Sequence, residues 1–211
     1  MTGSRGLRRK LFSLLYTHGA WLYDLITELL FVGQWREWQR TVVPLVSGER
    51  VLDLGCGTGR LLCDLTGRAT LVIGLDRSTA MLRQAKVRVA RNWLPLVQGD
   101  ARFLPFRSRA FTTVVSTFPA EFILDKEVHD EIARVLVPGG RLLVVVTGVW
   151  SAWTWWQAPI ILALRIVYGS ARRAAHYVDA PLTTGKLPGH WHWSPSRYGA
   201  ALIWQAERMG D

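Results

Sequence analysis

The sequence is poor in cysteine and in acidic residues. Only two of its 211 residues are cysteines, Cys56 and Cys63. They are about two helical turns apart, which is too far for a disulfide bond. This excludes a disulfide-stapled secreted scaffold and favours a reducing, cytoplasmic compartment. Sixteen acidic residues against 26 basic ones give a formal net charge of +10. The protein should therefore be attracted to anionic surfaces, either nucleic acid or lipid headgroups.

The sequence also lacks a convincing signal peptide and a clear membrane span. Its basic N-terminus is followed by an apolar stretch, but His18, Asp24 and Glu28 interrupt it and no small-residue cleavage site follows. Residues 142–164 carry no charge and reach the length of a span. Their first third has the pattern of a buried strand, however, and Pro159 breaks the rest. We therefore expect a short helix that lies in a membrane interface or covers a pocket.

Tryptophan is abundant by contrast. The sequence contains eleven, and several cluster toward the C-terminus: Trp150, Trp153, Trp155 and Trp156, then Trp191, Trp193 and Trp204. Amphipathic rings next to basic residues suit a membrane interface better than the groove of a nucleic-acid duplex. The composition therefore favours lipid as the anionic surface.

Between residues 50 and 146 the sequence alternates apolar runs with helical patterns. The apolar runs predict five strands, at residues 51–54, 71–75, 94–97, 111–116 and 142–146. Helices are expected between them, at residues 60–65, 79–91 and 126–136. Apolar strands separated by helices are typical of a parallel sheet covered on both faces. We predict an α/β fold with a Rossmann-like, doubly wound parallel sheet, whose ligand binds at the carboxyl ends of the strands.

Flanking segments complete the expected organisation. Residues 1–40 should form a helical cap, because leucines recur at helical spacing over residues 7–32. Residues 41–147 form the α/β core. Residues 148–211 should form a tryptophan-rich lid and a last helix, with Ser194 and Pro195 at its start. Within the core, Ser78 and Asp125 are the expected N-caps, and a Pro-Gly-Gly turn at residues 138–140 should precede the fifth strand.

The most informative segment is Val-Leu-Asp-Leu-Gly-Cys-Gly-Thr-Gly-Arg at residues 51–60. An apolar run containing Asp53 ends in three alternate glycines and opens a helix. Gly55, Gly57 and Gly59 let the backbone turn tightly and approach a ligand. The helix directs its free N–H groups and positive dipole end toward that ligand. The spacing differs from the dinucleotide fingerprint G-x-G-x-x-G, since Arg60 stands where the last glycine is wanted.

This segment resembles motif I of the class I S-adenosylmethionine (SAM)-dependent methyltransferases. Residues 131–143 are similar to the family's helix, Pro-Gly-Gly turn and fifth strand. The resemblance is to the type 11 methyltransferase domain, and it covers about residues 20–147 of this sequence. It implies SAM as the cofactor. The family's sheet has seven strands, so this sequence is expected to lack the last two, either as a fragment or with an open sheet edge.

The resemblance also implies which residues hold the cofactor. Asp76, after the second strand, would accept the ribose hydroxyls. Asp100, in a Gly-Asp-Ala segment, would reach the adenine amino group, with Met81 and Leu104 beside the base. Tyr23 would lie near the methionine moiety; core packing is the alternative for Tyr23, Met81 and Leu104. The full predicted set is Tyr23, Asp53, Gly55, Cys56, Gly57, Thr58, Gly59, Asp76, Arg77, Met81, Gly99, Asp100, Ala101, Ser116 and Thr117.

Two segments are candidates for the acceptor side. The loop at residues 116–122 should lie beside the transferable methyl group, with Glu121 as a general base, a substrate anchor or a solvated carboxylate. This loop lacks the Asn/Asp-Pro-Pro-Tyr pattern of enzymes that methylate base nitrogens, which argues against nucleic acid as the substrate. His190 and His192 offer a second candidate base. Together with His176 they could bind a metal, but no acidic or cysteine partner accompanies them, so no metal is expected.

The segment from His18 to Asp24, followed by Gly33 and Trp35-Arg36, resembles the opening of the ubiquinone/menaquinone-biosynthesis C-methyltransferases. With the basic residues 5–10 and the apolar lid, this predicts a cytoplasmic enzyme that methylates a lipophilic small molecule, such as a quinone precursor. It would contact the inner face of the membrane peripherally. Two alternatives stay open. One is a phospholipid N-methyltransferase, and the other a SAM-binding, non-catalytic partner subunit whose missing strands come from another chain.

Overall fold

The computed structural model describes residues 33–150, 186–197 and 199–210. These residues form a seven-stranded sheet in the order β3-β2-β1-β4-β5-β7-β6. Its strands are β1 (Arg50–Leu54), β2 (Leu71–Asp76), β3 (Leu96–Gln98), β4 (Phe111–Thr117), β5 (Leu136–Trp150), β6 (Gly189–Ser196) and β7 (Gly199–Glu207). The described helices are α1 (Gln34–Arg40), α2 (Arg60–Leu65), α3 (Thr79–Val89) and α4 (Lys126–Val135). The predicted helix over residues 7–32 and most of the predicted lid lie outside the described residues.

The first five strands form the doubly wound parallel sheet that the apolar runs predict. β1 pairs in parallel with β2 and β4, β2 with β3, and β4 with β5. Successive side chains of a strand point to opposite faces, so a strand covered on both faces is apolar throughout. Val51 accordingly belongs to the core that contains Leu62 of α2, and Leu52 to the core that contains Ile132 of α4. The Rossmann-like fold class is confirmed.

The two predicted N-caps behave differently. The Ser78 hydroxyl accepts a hydrogen bond from the Met81 backbone N–H at 3.3 Å, which confirms it as the cap of α3. Asp125 occupies the N-cap position of α4 but makes no capping bond with its side chain. Its carboxylate binds the Arg102 guanidinium instead, at 2.7 and 3.0 Å. Asp125 therefore ties the start of α4 to the loop after β3.

The prediction that the last two strands are missing is wrong. β7 lies antiparallel between β5 and β6, and it completes the sheet. The predicted last helix is wrong for the same reason, because Ser194 and Pro195 lie in β6. β6 is an edge strand that pairs only with β7 in the described part of the chain. An edge strand tolerates a proline, which removes a ladder hydrogen bond elsewhere in a sheet.

The apolar residues of β7 explain the error. Ala201 and Ile203 enter one core of the protein, while Trp204 and Ala206 enter the other. Such a run is apolar at nearly every position, and over a short length it cannot be told from a buried helix by periodicity alone.

The predicted Pro-Gly-Gly turn is an irregularity inside β5. Leu136 pairs with Phe111 of β4, whereas Arg141 pairs with Thr113, so the intervening residues of β5 bulge out of the ladder. Gly139 within this bulge takes a left-handed φ of 72°. Residues 138–140 therefore do not separate the helix from the strand as expected.

Candidate active site

The carboxyl ends of four parallel strands meet at one edge of the sheet, and most predicted cofactor residues lie there. Leu54 pairs with Leu75 of β2. Asp53 pairs with Val115 near the end of β4. Gln98 of β3 pairs with Asp76. The structure thus brings together residues 53–59, 76–77, 99–101 and 116–117, while Tyr23 lies outside the described residues.

The glycine turn after β1 has the conformation that its sequence requires. Gly55, Gly57 and Gly59 have φ angles of 78°, 53° and 76°. Such angles favour glycine because a Cβ is strained there. The N–H groups of Gly55 and Cys56 both donate to the Leu75 carbonyl, at 2.7 and 3.0 Å, which anchors the turn to β2. A Cβ at Gly57 would meet no atom within 4 Å, so open space borders the backbone at this point.

The end of the turn is fastened to α3. A Cβ at Gly59 would lie 3.0 Å from the Cβ of Ala85, so this glycine allows α3 to approach closely. Arg88 of α3 also donates a hydrogen bond to the Thr58 carbonyl at 2.6 Å. The structure therefore gives Thr58 and Gly59 a role in positioning the turn, and their contact with the cofactor stays a prediction.

The Asp76 carboxylate holds the turn from the other side. One oxygen accepts a hydrogen bond from the Gly57 N–H at 2.8 Å, and the other accepts one from the Ser78 N–H at 2.7 Å. Burial raises the pKa of Asp76, although these backbone hydrogen bonds oppose the shift. Each carboxylate oxygen has a second lone pair, so both can still accept from ligand hydroxyls.

Asp53 is a buried carboxylate without a partner. Its side chain is 1% exposed, and neither oxygen accepts a hydrogen bond from any residue in the described ranges. Burial, and next the nearby charge of Asp76, raise the pKa of Asp53 to about 7. An ionised carboxylate in such a place is costly unless a cation or donor satisfies it. Asp53 is therefore positioned for a donor that the described residues do not supply.

The third strand ends beside the same space. The Gly99 N–H donates to the Asp76 carbonyl at 3.1 Å, which fixes the Gly-Asp-Ala segment against β2. The Asp100 carboxylate lies 3.5 Å from the Arg102 guanidinium and 4.0 Å from that of Arg77. Met81, Ala101 and Leu104 are all buried, as both the adenine-binding and the core-packing interpretations expect.

The end of β4 forms an aromatic corner with α1. The Ser116 hydroxyl donates to the Leu54 carbonyl at 2.7 Å, and the Thr117 hydroxyl accepts from the Gln39 side chain at 3.1 Å. Phe118 has a left-handed φ of 49°, and its ring stacks on Trp35 with the centroids 3.8 Å apart. Sequence reasoning missed Gln39 and this ring pair. The available signal was the pair Trp35 and Trp38, three residues apart in α1. Their spacing does not predict that they contact Phe118, which is far away in the sequence.

The three candidate catalytic residues are not brought together. Glu121 is exposed at the start of a short 3₁₀ turn after β4. His190 and His192 lie on β6, with ring centroids 5.8 Å apart. His192 is level with Thr117 but three strand spacings away, about 14 Å. Burial, and then neighbouring His190, lower the pKa of His192. All three catalytic roles stay predictions.

Two further sequence expectations concern metal binding and membrane crossing, and the described residues cover only part of the segments involved. Among the described residues, no group of three or more His, Cys, Asp or Glu side chains could hold a metal ion. In the same ranges no helix has the length and apolarity needed to cross a bilayer. His176 and Trp153–Trp156 lie outside these ranges.

Known proteins resemble this chain in sequence. A family profile described as "Methyltransferase domain" matches residues 52–144. A demethylmenaquinone methyltransferase of Streptomyces griseus is 30% identical over 191 residues, which cover 87% of this chain and 80% of that protein. A protein of the same name from Streptomyces avermitilis is 36% identical over 126 residues, 58% of this chain and 54% of the relative. That second match thus spans about half of the relative's length.

Solved structures share the fold at low identity. A Methanococcus maripaludis protein assigned to the SAM-dependent methyltransferases has a TM-score of 0.63 at 17% identity, covering 93% of this chain and 95% of that one. Geranyl diphosphate methyltransferase in complex with SAM has a TM-score of 0.52 at 16% identity, covering 83% and 84%. The sheet order and the glycine turn define a Rossmann-like α/β protein, and ligands of this fold bind at the strand ends. The chain belongs to the SAM-dependent methyltransferases, in the family with a type 11 methyltransferase domain, and SAM is the cofactor of this enzyme.

The described residues fit SAM. The ammonium group of its methionine moiety matches the donor that Asp53 lacks, and the open space at Gly57 admits a ligand against the backbone. Asp76 retains the lone pairs to accept hydroxyl groups. When bound, SAM supplies an electrophilic methyl group on its sulfonium.

Proposed function

We propose that this enzyme transfers a methyl group to a ring carbon of a lipophilic quinone precursor in its reduced, phenolic form. The supporting observation is the stacked pair of Trp35 and Phe118 at the end of β4, beside Thr117. Trp38 adds an edge contact to Phe118 at 6.4 Å. Aromatic rings stack favourably on other flat rings, so this corner suits a planar aromatic acceptor. The relatives named demethylmenaquinone methyltransferase support the same class of acceptor.

The chain contributes mainly alignment. The Ser116–Leu54 and Gln39–Thr117 hydrogen bonds fix the end of β4, where the nucleophilic carbon must meet the methyl group. In the transfer the sulfur–methyl bond breaks, the carbon–methyl bond forms, and the ring carbon loses its hydrogen as a proton. Good alignment alone is worth effective molarities of about 10⁵–10⁸ M. The proton needs only a weak base, because its loss from the methylated carbon restores the aromatic ring.

We assign that base to Glu121, which is the nearest of the three candidates along the chain to the end of β4. It is exposed and can pass the proton to solvent. His190 and His192 are the weaker candidates because of their separation from Thr117. Comparing Glu121→Gln with a His190→Ala/His192→Ala double variant distinguishes them. Only the variant that lacks the base should lose turnover while retaining SAM affinity.

The acceptor is tested with purified enzyme and SAM labelled in the methyl group. A demethylmenaquinol-type acceptor and phosphatidylethanolamine are offered in detergent, and we expect label only in the quinol. Label only in phospholipid would favour the N-methyltransferase alternative. The partner-subunit alternative assumed that another chain supplies the last two strands, but β6 and β7 are present in this chain. SAM binding with no transfer to either acceptor would contradict the proposed activity.

Membrane contact is part of the proposal. The predicted contacts are the basic residues 5–10 and the tryptophans of residues 150–156, whose side chains lie outside the described part. The net charge of +10 supports attraction to anionic lipid. The electrostatic part should fade as the Debye length falls to about 3 Å near 1 M salt, and the tryptophan part should persist. Co-sedimentation with anionic vesicles, with Trp153, Trp155 and Trp156 replaced by Ala, tests both parts. Absence of any binding at low salt would show that these tryptophans do not meet lipid.

A further inference from the structure

One stretch of the described chain is basic without any acidic residue. Residues 77–99 contain no Asp or Glu, and they include five cationic residues: Arg77, Arg83, Lys86, Arg88 and Arg91. The stretch comprises α3, a 3₁₀ turn (Ala90–Asn92) and the edge strand β3. It lies at the β3 end of the sheet, so no further strand of the described sheet covers it.

The two faces of α3 differ sharply. Met81, Ala85 and Val89 recur every four residues and are buried against the sheet. Arg83, Lys86 and Val87 lie on the opposite side, as their three- and four-residue spacing requires, and all three are exposed. Val87 is 81% exposed, which leaves an aliphatic side chain among cations.

Three exposed cations, two on this face of α3 and one in the 3₁₀ turn, are not neutralised within the described residues. The side chains of Arg83, Lys86 and Arg91 make no hydrogen bond or ion pair there. Arg88 differs, because its guanidinium is engaged with the Thr58 carbonyl. The positive charge of this face is therefore available to an external anion.

An aromatic residue completes the face. Trp93 follows the 3₁₀ turn, is 91% exposed and has a left-handed φ of 51°. A bulky residue seldom adopts this conformation. Here it holds a large apolar ring in water, two residues after Arg91. We name Arg83, Lys86, Val87, Arg91 and Trp93 the α3 surface.

We propose that the α3 surface docks this enzyme on an anionic lipid bilayer. Cations that lack a carboxylate partner match anionic headgroups, and tryptophan is favoured at the headgroup level of a membrane. Val87 argues against nucleic acid, because an aliphatic side chain can bury in a lipid interface but neither stacks on a base nor binds a phosphate. The inference rests on the proposed function, since a lipophilic acceptor resides in the bilayer. α3 begins at the cofactor edge, directly after Asp76–Ser78, so docking through α3 would bring that edge close to the lipid.

The test compares two charge reversals of equal size. Arg83→Glu/Lys86→Glu changes the α3 surface. Arg107→Glu/Lys186→Glu is the matched control, since these exposed cations lie elsewhere and their side chains make no hydrogen bond or ion pair with the described residues. Each protein is sedimented with phosphatidylcholine vesicles with and without phosphatidylglycerol. We expect the α3 variant to lose at least about tenfold in partitioning to the anionic vesicles and the control to lose far less. Trp93→Gly, which suits the backbone at this position, should remove part of the binding that survives high salt.

Three results would overturn the proposal. Equal losses in both double variants would mean that net charge alone drives binding. Wild-type protein that does not bind anionic vesicles at low salt would exclude docking. Tighter binding to single-stranded RNA than to vesicles, abolished by the α3 variant, would identify nucleic acid as the occupant. SAM affinity and melting temperature, measured for every variant, confirm that the fold is intact.

Vesicle partitioning is measured without any acceptor, so it fails or succeeds independently of the proposed methyl transfer. Transfer is then measured with the quinol acceptor in detergent and in vesicles. The α3 variant should keep its rate in detergent and lose rate only with the vesicle-embedded acceptor. If wild-type enzyme methylates no quinol in detergent, the proposed function fails and the docking result still stands.

Discussion

The Asp76 carboxylate accepts a hydrogen bond from the Gly57 backbone N–H at 2.8 Å, and this bond joins the end of β2 to the middle of the glycine turn. The other oxygen of Asp76 holds the Ser78 N–H at the start of α3. One side chain therefore fixes both the turn and the start of the helix, beside the predicted cofactor contact. The family resemblance implies acceptance of ribose hydroxyls, and the structure adds a positioning role that the resemblance did not imply.

Replacing Asp76 with Ala should weaken SAM binding by about 2–3 kcal/mol, because a charged acceptor is lost. It should also lower the melting temperature of the protein without SAM, since two backbone N–H groups lose their partner. Calorimetry and thermal unfolding measure the two effects. Asp130→Ala, which removes an exposed carboxylate on α4, serves as the control and should change neither. Unchanged SAM affinity in Asp76→Ala would remove Asp76 from the site.

Gly57→Val should abolish SAM binding. The valine would fill the open space beside the turn, and the φ of 53° is strained for a β-branched residue. Gly67→Val is the matched control, since a Cβ there also meets no atom within 4 Å and its backbone φ is not left-handed. Binding of SAM to both variants at wild-type strength would mean that the ligand does not approach the turn at Gly57.

Asp53 should make the stability of the SAM-free protein depend on pH. Its pKa is about 7 in the folded protein, against an ordinary value of 3.8 for an aspartate in water. Between these values the folded state keeps a proton that the unfolded state has lost. The free energy of unfolding should therefore fall as the pH rises from about 4 to about 7, by roughly 4 kcal/mol at most, and then level off. Chemical denaturation at a series of pH values measures this fall.

Asp53→Asn is the corresponding variant. It cannot ionise, so it should lose this pH dependence and be more stable than wild type above pH 7. Its SAM affinity should nevertheless be lower, because the ammonium group of the methionine moiety no longer meets a carboxylate. For wild type, SAM affinity should rise with pH up to about 7, as Asp53 ionises. An identical stability profile in the variant would assign the pH dependence to other groups.

Phe118→Ala should raise the KM for the quinol acceptor about three- to tenfold and leave SAM affinity unchanged. The variant removes a ring of the corner on which the acceptor is proposed to stack, and one aromatic pair with the acceptor would contribute about 0.5–1.5 kcal/mol. Phe103→Ala controls for the loss of an aromatic ring, since Phe103 is 78% exposed. Equal kinetic effects in the two variants would contradict the assignment of the acceptor corner.

Sequence patterns predicted the part of the fold that local chemistry determines. The glycine spacing, the apolar strands and Ser78 each specify a conformation within a few residues, and the structure confirms them. The patterns failed to predict β7, because burial on both faces removes the alternation of apolar and polar residues that marks a strand. The stacking of Trp35 on Phe118 was not predicted, because it depends on how α1 packs against the end of β4. The missing partner of Asp53 could not be foreseen either, since it depends on what the fold leaves around a side chain.

The hydrogen bond from Arg88 to the Thr58 carbonyl links α3, whose exposed face is proposed to meet lipid, to the glycine turn, where the cofactor is predicted to bind. If docking on lipid shifts α3, we expect this hydrogen bond to transmit the shift to the glycine turn. Thermodynamic linkage makes such coupling reciprocal, so the factor by which vesicles change SAM affinity equals the factor by which SAM changes vesicle affinity. An enzyme coupled in this way would bind SAM more tightly at the membrane, where its proposed acceptor resides, than in solution.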